Sequence, residues 1–504
     1  MAKRVEGSAP VKDRIHWQQV AAATIANLST LCVGCAMGWT APVLPELERL
    51  LEQPGAGLVE GEPLSAAQGA WIGALLPLGA LAGSLPAGFL THRYGRRLPL
   101  LAFGALLCLG WLLLLFHEWV SLLMVGRLVC GLASAGVTTI APLYAEEVAA
   151  LEIRGALGTL LDLMLAAGLL VVYGLGIVLP VRWLTAAMAA LPLCFCVAFF
   201  TMPESPEYLR GRGKHDEAQR AAAWLRLDHG SAELVPVLTE TQQLKRQQQR
   251  HRDGQGQRWE QGQRSVQALA EKKPTARACI LVFSLMAFQQ LSGIDAILFY
   301  TVDIFQEAGT SISPQLSMVI TGAIQFVATG FSSVLVENAG RRPLMISSGL
   351  LMTFSHLTLA VHQGWPWLQL AAGWLPLVAI NLFLIGFAVG LGPLSWLLIA
   401  ELLPPGDKRW AVGAATSVSW LACALMTGFF DEFVRLFGTS AAYWVLGCIC
   451  AAYTVFVTAL LPETRGLTGH QIQCHLSRQG GTSCCISSGS CDNVQGTDQT
   501  SGHV

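Results

Sequence analysis

The sequence predicts an all-α membrane protein: twelve transmembrane helices in two pseudo-symmetric six-helix bundles, with short cytoplasmic helices between them. Three observations carry this reading. Of 504 residues, 53% are hydrophobic and only 13% charged, about half the charge with which a soluble domain covers itself. Apolar runs recur along the chain, each close to the roughly 20 residues that cross a hydrocarbon core about 30 Å thick. Charged motifs repeat at a spacing of about half the chain. A nucleic-acid binder, a disordered protein and an ordinary soluble enzyme are excluded, and 32 basic against 33 acidic residues leave no field to steer a polyanion.

The elements follow in order. Residues 1–17 form a polar cytoplasmic segment in which no cleavable leader is expected. Apolar runs beginning near Val20, Gly69, Leu98, Val120, Ala156 and Trp183 make residues 18–202 the first bundle. Residues 203–274 are polar and rich in Gln, Lys and Arg, a linker in which 216–227 and 233–250 are expected to be amphipathic helices. Runs beginning near Thr275, Pro314, Pro343, Ala371, Ala411 and Ala441 make residues 275–467 the second bundle, and 468–504 is a Ser/Gly/Gln tail expected to be disordered. Fourteen cysteines do not imply a disulfide framework, because ten lie inside apolar runs as small hydrophobes. Cys32 and Cys35 have half-site spacing but lack a second ligand pair, so neither metal nor cofactor is expected.

Orientation comes from the basic residues. With the N-terminus inside, only Arg49, Arg182 and Arg435 fall outside and Arg127 lies within a span. Both termini and the linker are therefore expected in the cytoplasm.

The halves repeat. Gly95-Arg96-Arg97 recurs as Gly340-Arg341-Arg342, Glu147 before Arg154 as Glu401 before Lys408, and Pro203-Glu204-Ser205 as Pro462-Glu463-Thr464. Two like halves imply a carrier that rocks about a site at the membrane midplane. Acid and base at matched positions (Arg96, Arg97, Glu147, Arg154 and Glu204; Glu337, Arg341, Arg342, Glu401, Lys408, Glu463 and Arg465) are read as a cytoplasmic ion-pair switch. It is expected to close between the halves when their inner ends meet.

These motifs, with Arg154-Gly155-Ala156-Leu157-Gly158, Gln289-Gln290-Leu291-Ser292-Gly293-Ile294 and Pro462-Glu463-Thr464-Arg465-Gly466, resemble the sugar porters of the major facilitator superfamily, the facilitative glucose transporters among them. Gly386-Phe387-Ala388-Val389-Gly390 is similar to intracellular-type hexose facilitators, and Gly38-Trp39-Thr40-Ala41-Pro42 to insect facilitated trehalose transporters. The resemblance implies the major facilitator fold and a monomer that moves a small-molecule sugar through the lipid bilayer.

It also implies that Gln289, Gln290, Asp295, Gln325, Trp396, Ser419 and Trp420 line the site, with Asp162 facing it from the fifth span. Phe299 and Tyr300 would form the outer gate. Gly392 and Pro393 are expected to break the tenth helix into a gating segment. Because Gln289, Gln290 and Asp295 would spread around a regular helix, a break near Ser292-Gly293 is expected if all three face one cavity. Thr138 is a weaker lining candidate. Departures from the family pattern are Asp162 for Gln, Asp295 for Asn, Ser419 for Asn, Ala388 for Glu and Glu207 for Arg.

Family symporters carry an Asp in the first span where this chain has Ala36, so uniport of a hexose such as glucose is expected. Proton symport through Asp162 and Asp295, and trehalose as substrate, are the alternatives. The spans contain no constellation for an enzyme and no Walker motif. The plasma membrane is the expected location, an endomembrane the second.

Overall fold

In the computed structural model the described residues are 17–52, 66–150, 160–227, 276–299, 301–307, 312–403 and 408–465, with Ile153, Leu157 and Ile472. They are helical, without strands. Eleven segments are long and apolar enough to cross a membrane. The remaining span, the eighth, is the 26-residue helix Pro314–Ala339, whose interior carries Ser317, Thr321, Gln325 and Ser332. Twelve spans in two six-helix halves result.

Close approach of backbones holds the first half together. An added Cβ on Gly34 would stand 2.1 Å from Leu165 O, and one on Gly168 would stand 2.1 Å from Leu31 O. The first and fifth spans thus pack backbone to backbone, as do the second and fourth through Gly79 and Gly131. Lipid provides no hydrophobic drive between helices, so small residues that admit such contact take over that role.

Three spans are interrupted. The first passes from Trp17–Gly38 into Thr40–Glu52. The seventh runs helically over 276–291, turns at Ser292 and Gly293, where φ is +92°, and resumes as Ile294–Phe299. This is the break expected from the spacing of its polar residues. The tenth breaks between Leu375–Val389 and Leu391–Leu402, at Gly390 (φ −134°, ψ −78°).

That last position corrects the expectation of a break at Gly392 and Pro393. A proline inside a helix loses the bond to the carbonyl four residues back, but in the first turn no such partner exists. The break two to three residues upstream places Pro393 in that tolerated first turn. Gly390 is also a position where the ninth span approaches too closely for a side chain: an added Cβ would meet Ser348 Cβ at 2.4 Å.

Of the two linker helices, the structure describes His215–Trp224, which begins one residue before the first expected segment and ends three before its end; 233–250 lies outside the described residues. Gln19 docks it against the bundle, donating to Leu225 O at 3.0 Å while accepting from Ala150 N at 2.9 Å.

The halves meet laterally along the second and eleventh spans and along the fifth and eighth. At the end away from Arg96 and Arg341 the first span also meets the seventh, where Tyr173 donates to Leu298 O at 2.8 Å. Among the described residues the fourth and tenth spans show no comparable contact at the charged end. The molecule is closed at the end opposite its charged clusters.

Candidate functional site

The break at Gly293 decides which polar groups share a side. On an unbroken helix Gln290 and Asp295, five residues apart, would point about 140° apart at 3.6 residues per turn. Restarting the helix after Gly293 brings both against one face of Lys408–Phe437. Gln290 Nε2 donates to Ser419 Oγ at 2.8 Å, and Asp295 shares a hydrogen bond with the Cys423 thiol one turn further along. Trp420, beside Ser419, is buried with its indole N–H unpartnered.

Gln289 reaches the other way, donating from Nε2 to Gly392 O at 3.1 Å. That carbonyl belongs to the first turn of Leu391–Leu402, and half-buried Trp396 follows on the same helix face, four residues on. The bond to a carbonyl fixes the amide orientation, so the unpartnered Oε1 of Gln289 is an acceptor. Gln325 is 7% exposed with Oε1 unpartnered, on a stripe with Ser317 and Thr321. Asp162 lies on the stripe of the fifth span that continues through Ala166 and Leu169 to Tyr173, whose hydroxyl touches the seventh span. Among the described residues its carboxylate makes no hydrogen bond or ion pair.

The structure therefore brings Gln289, Gln290, Asp295, Ser419, Trp420 and the start of the tenth span's second segment together. It places Asp162 and Gln325 on interior stripes of the flanking fifth and eighth spans. Thr138 spends its hydroxyl on Ser134 O at 2.9 Å. Phe299 is fully buried; Tyr300 lies outside the described residues.

Several groups that sequence reasoning did not assign complete the surroundings. Arg127 is fully buried, donating to Ile72 O at 3.0 Å and Ala36 O at 2.5 Å. Its guanidinium carbon lies 5.8 Å from the Trp39 ring centre and 5.9 Å from that of Phe299, in the other half. Two residues of the ninth span repair the two broken helices. His356 Nε2 donates to Ser292 O at 3.0 Å, a carbonyl that no longer serves an unbroken helix. Ser348 Oγ donates to Gly386 O at 2.6 Å and accepts from Leu391 N at 3.1 Å. The available signal was their chemistry: a His and a Ser eight residues apart within an apolar span are polar groups that need partners.

At the charged end, where the fourth and tenth spans do not meet, the described residues pair within each half. Arg96 pairs with Glu147 at 2.5 Å and Arg341 with Glu401 at 3.2 Å, each within one half. Glu204 and Glu463 pair with backbone rather than with side chains. Glu204 accepts from Arg96 N at 2.9 Å and Arg97 N at 3.2 Å, and Glu463 from Arg341 N at 3.0 Å and Arg342 N at 3.1 Å. Each carboxylate satisfies the orphan N–H groups that begin the next helix, with the favourable end of the helix dipole.

Burial pushes the Glu463 carboxyl up, but backbone N–H groups of Arg465, Arg341, Arg342 and Thr464 outweigh it and hold the group below its ordinary value. Arg97 and Arg342 turn to carbonyls instead, Phe200 O and Thr458 O respectively. Thr464 Oγ1 donates to the second oxygen of Glu401 at 2.6 Å. The physical reason is reach: a carboxylate at a helix start finds rigid backbone donors nearer than the partner half. Arg154 lies outside the described residues, as do the side chains of Glu337 and Lys408.

Comparison with known proteins comes to the same architecture. Residues 22–475 match the family described as sugar (and other) transporter. The chain is 32% identical over 463 residues to the facilitated trehalose transporter Tret1 of Aedes aegypti, covering 91% of this chain and 55% of that protein. To Tret1 of Culex quinquefasciatus it is 31% identical, covering 91% and 85%. The chain spans just over half the length of the Aedes aegypti and Anopheles gambiae relatives. Among solved structures it resembles the proton:xylose symporter XylE bound to 6-bromo-6-deoxy-D-glucose, with a TM-score of 0.71, 20% identity and coverage of 91% and 99%. The inward open conformation of the xylose transporter XylE from E. coli matches with a TM-score of 0.69, 20% identity and the same coverage. At that identity the two structures speak for the fold.

Proposed function

The chain belongs to the sugar transporter family, and from that premise we propose that it carries a hexose, glucose being the simplest, by facilitated alternating access. The observation that carries this reading is the realigned seventh span. Gln289, Gln290 and Asp295, with Ser419, Trp420 and the Gly392 end of the tenth span, make a compact polar site between two broken helices. Unmet acceptors on Gln289, Asp295 and Gln325 and the donor on Trp420 suit a polyol, whose hydroxyls both donate and accept. Trp396 and Trp420 supply apolar faces for its C–H side. Asp162 would meet the sugar from the fifth span. Phe299, at the closed end, together with Tyr300, and Gly392 with Pro393, beside the tenth-span break, would be the moving gates.

Uniport is supported by the first span. Arg127 donates to the main-chain oxygen of Ala36, a residue with no side chain that can take a proton. A second reading, trehalose as substrate, is favoured by the names of the relatives above. A third, proton symport, rests on Asp162 and Asp295. With the charged clusters cytoplasmic, both termini lie inside and the closed end faces out; the plasma membrane is the proposed location and a monomer the working unit. The pairs Arg96–Glu147 and Arg341–Glu401 would then hold each half rigid, and pairs between the halves would form only when the inner ends meet in the alternate state.

Uptake of labelled glucose, xylose and trehalose into proteoliposomes, with and without an inward proton gradient, tests all three readings. Saturable hexose uptake indifferent to the gradient is expected. Uptake that collapses with an uncoupler would overturn uniport, and absence of any sugar uptake would overturn the carrier.

A further inference from the structure

The site is unbalanced in two ways that a neutral sugar leaves uncorrected. Among the described residues its acidic side chain is Asp295, and a second carboxylate, Asp162, lies on the flanking fifth span. Asp295 is 2% exposed, beside Cys423 and with Oδ2 unpartnered. Asp162, on the interior stripe of the fifth span, makes no hydrogen bond or ion pair among the described residues. The buried cation of the region, Arg127, is turned to the carbonyls of Ala36 and Ile72 and lies between the rings of Trp39 and Phe299. His356 stands behind the break, donating to Ser292 O and packed against Phe383 and Tyr443.

Hydrogen-bonding capacity is skewed the same way. Among the described residues the unmet buried atoms around the break include the acceptors Gln289 Oε1, Gln325 Oε1 and Asp295 Oδ2 and the donor Trp420 Nε1. A ligand that offers only donors at one corner, and a positive charge with them, answers both deficits. An alkylammonium group does so, with three N–H donors and no acceptor, and beside a carboxylate as buried as Asp295 its attraction is less screened than in bulk water.

We propose that the site selects amino sugars, hexoses whose hydroxyls meet Gln289, Gln290 and Trp420 while a protonated amine is held by Asp295, with Asp162 as the second carboxylate on the path. This rests on the carrier reading above and names its substrate class. Asp295 sits one turn along the eleventh span from the Gln290–Ser419 bond, so an amine on the ring carbon next to a bound hydroxyl lies within reach of both.

The test uses the full chain in proteoliposomes and three probes of the same ring: glucosamine, glucose and N-acetylglucosamine, which keeps the nitrogen but not the charge. Glucosamine should exceed glucose in kcat/KM by roughly tenfold or more, the weight of one well-placed charge contact. N-acetylglucosamine should lose that advantage entirely. Asp295→Asn should lower the glucosamine-to-glucose ratio, a readout in which each preparation is its own control. Should that variant not fold, the wild-type ratio across the three probes decides alone. Glucose transported as well as or better than glucosamine overturns the proposal while leaving the carrier intact. Glucose uptake that requires a proton gradient, without amine preference, overturns it by assigning the carboxylates to protons. Transport of none of the three sinks the carrier reading itself.

Discussion

Ser348 and Leu391 are joined across two spans: the Leu391 N–H donates to Ser348 Oγ at 3.1 Å, and the same hydroxyl donates to Gly386 O at 2.6 Å. One side chain thereby stands in for the bonds that the tenth helix gives up at Gly390. Ser348→Ala strands a donor and an acceptor at a buried position. Each stranded group costs about 1–3 kcal/mol, so the apparent melting temperature in detergent should drop clearly. Gly390→Ala should cost more, because its Cβ would stand 2.4 Å from that of Ser348. Equal melting of both variants with the parent protein would remove Ser348 from this role.

His356 serves the seventh span as Ser348 serves the tenth. It is fully buried against Phe383, with ring centres 4.6 Å apart, and its Nε2 holds Ser292 O. His356→Ala removes both the bond and the ring, a loss of roughly 3 kcal/mol or more for an aromatic-sized deletion. His356→Phe restores volume without the donor. If the carbonyl contact positions the break, His356→Phe regains stability but transports with a lowered kcat; equal recovery of both would reduce His356 to packing.

Gln289 is tied to Gly392 O and leaves Oε1 open. Gln289→Ala should weaken sugar affinity about tenfold, the worth of a net hydrogen bond or slightly more, while the protein still elutes as a monodisperse species. Undiminished uptake would show that the site lies elsewhere.

The two ion pairs at the charged end are unequal. Glu147 is 7% and Arg96 16% exposed, whereas Arg341 and Glu401 are near 20%. Removing one partner of a buried pair leaves an uncompensated charge, so Arg96→Ala should cost roughly 3 kcal/mol. Arg341→Ala should cost less, because more of Glu401 reaches solvent and Thr464 still bonds it. Double-mutant cycles on both pairs, read by thermal melting, check the order.

Glu463 gives a pH signature. Its carboxyl lies below the ordinary value in the folded protein, so folding favours the ionised form. That contribution is complete above the unfolded carboxylate value near 4.3 and is lost as pH falls through the lower folded value. Melting temperature should therefore decline on acidification below about pH 5, and Glu463→Gln should flatten that decline. A variant with the same acid slope as the parent would show that the cap carries no such linkage.

Particular residues show how far sequence reasoning reached. The seventh-span break was readable because three polar residues at awkward spacing can share a cavity only if the helix restarts between them. The tenth-span break was misplaced by two to three residues because Pro393 marks where a helix cannot continue an earlier turn, not where the turn ends. Glu204 and Glu463 were visible as charges, yet charge alone does not distinguish a partner Arg side chain from the backbone N–H groups beside it. His356, Ser348 and Tyr173 each bond a carbonyl on another span, and a carbonyl leaves no mark in the sequence.

Composition, run length and repeated motifs determined by themselves that this chain is a membrane protein of twelve spans in two like halves, and which polar residues lie inside them. They could do so because lipid penalises every unpaired polar group wherever the helices turn. Tertiary structure alone decided which of those groups meet. Partners depend on the rotation of each helix and the residue at which it breaks, and in this chain those are set by contacts between spans: Gly390 against Ser348, Ser292 against His356, Asp295 against Cys423.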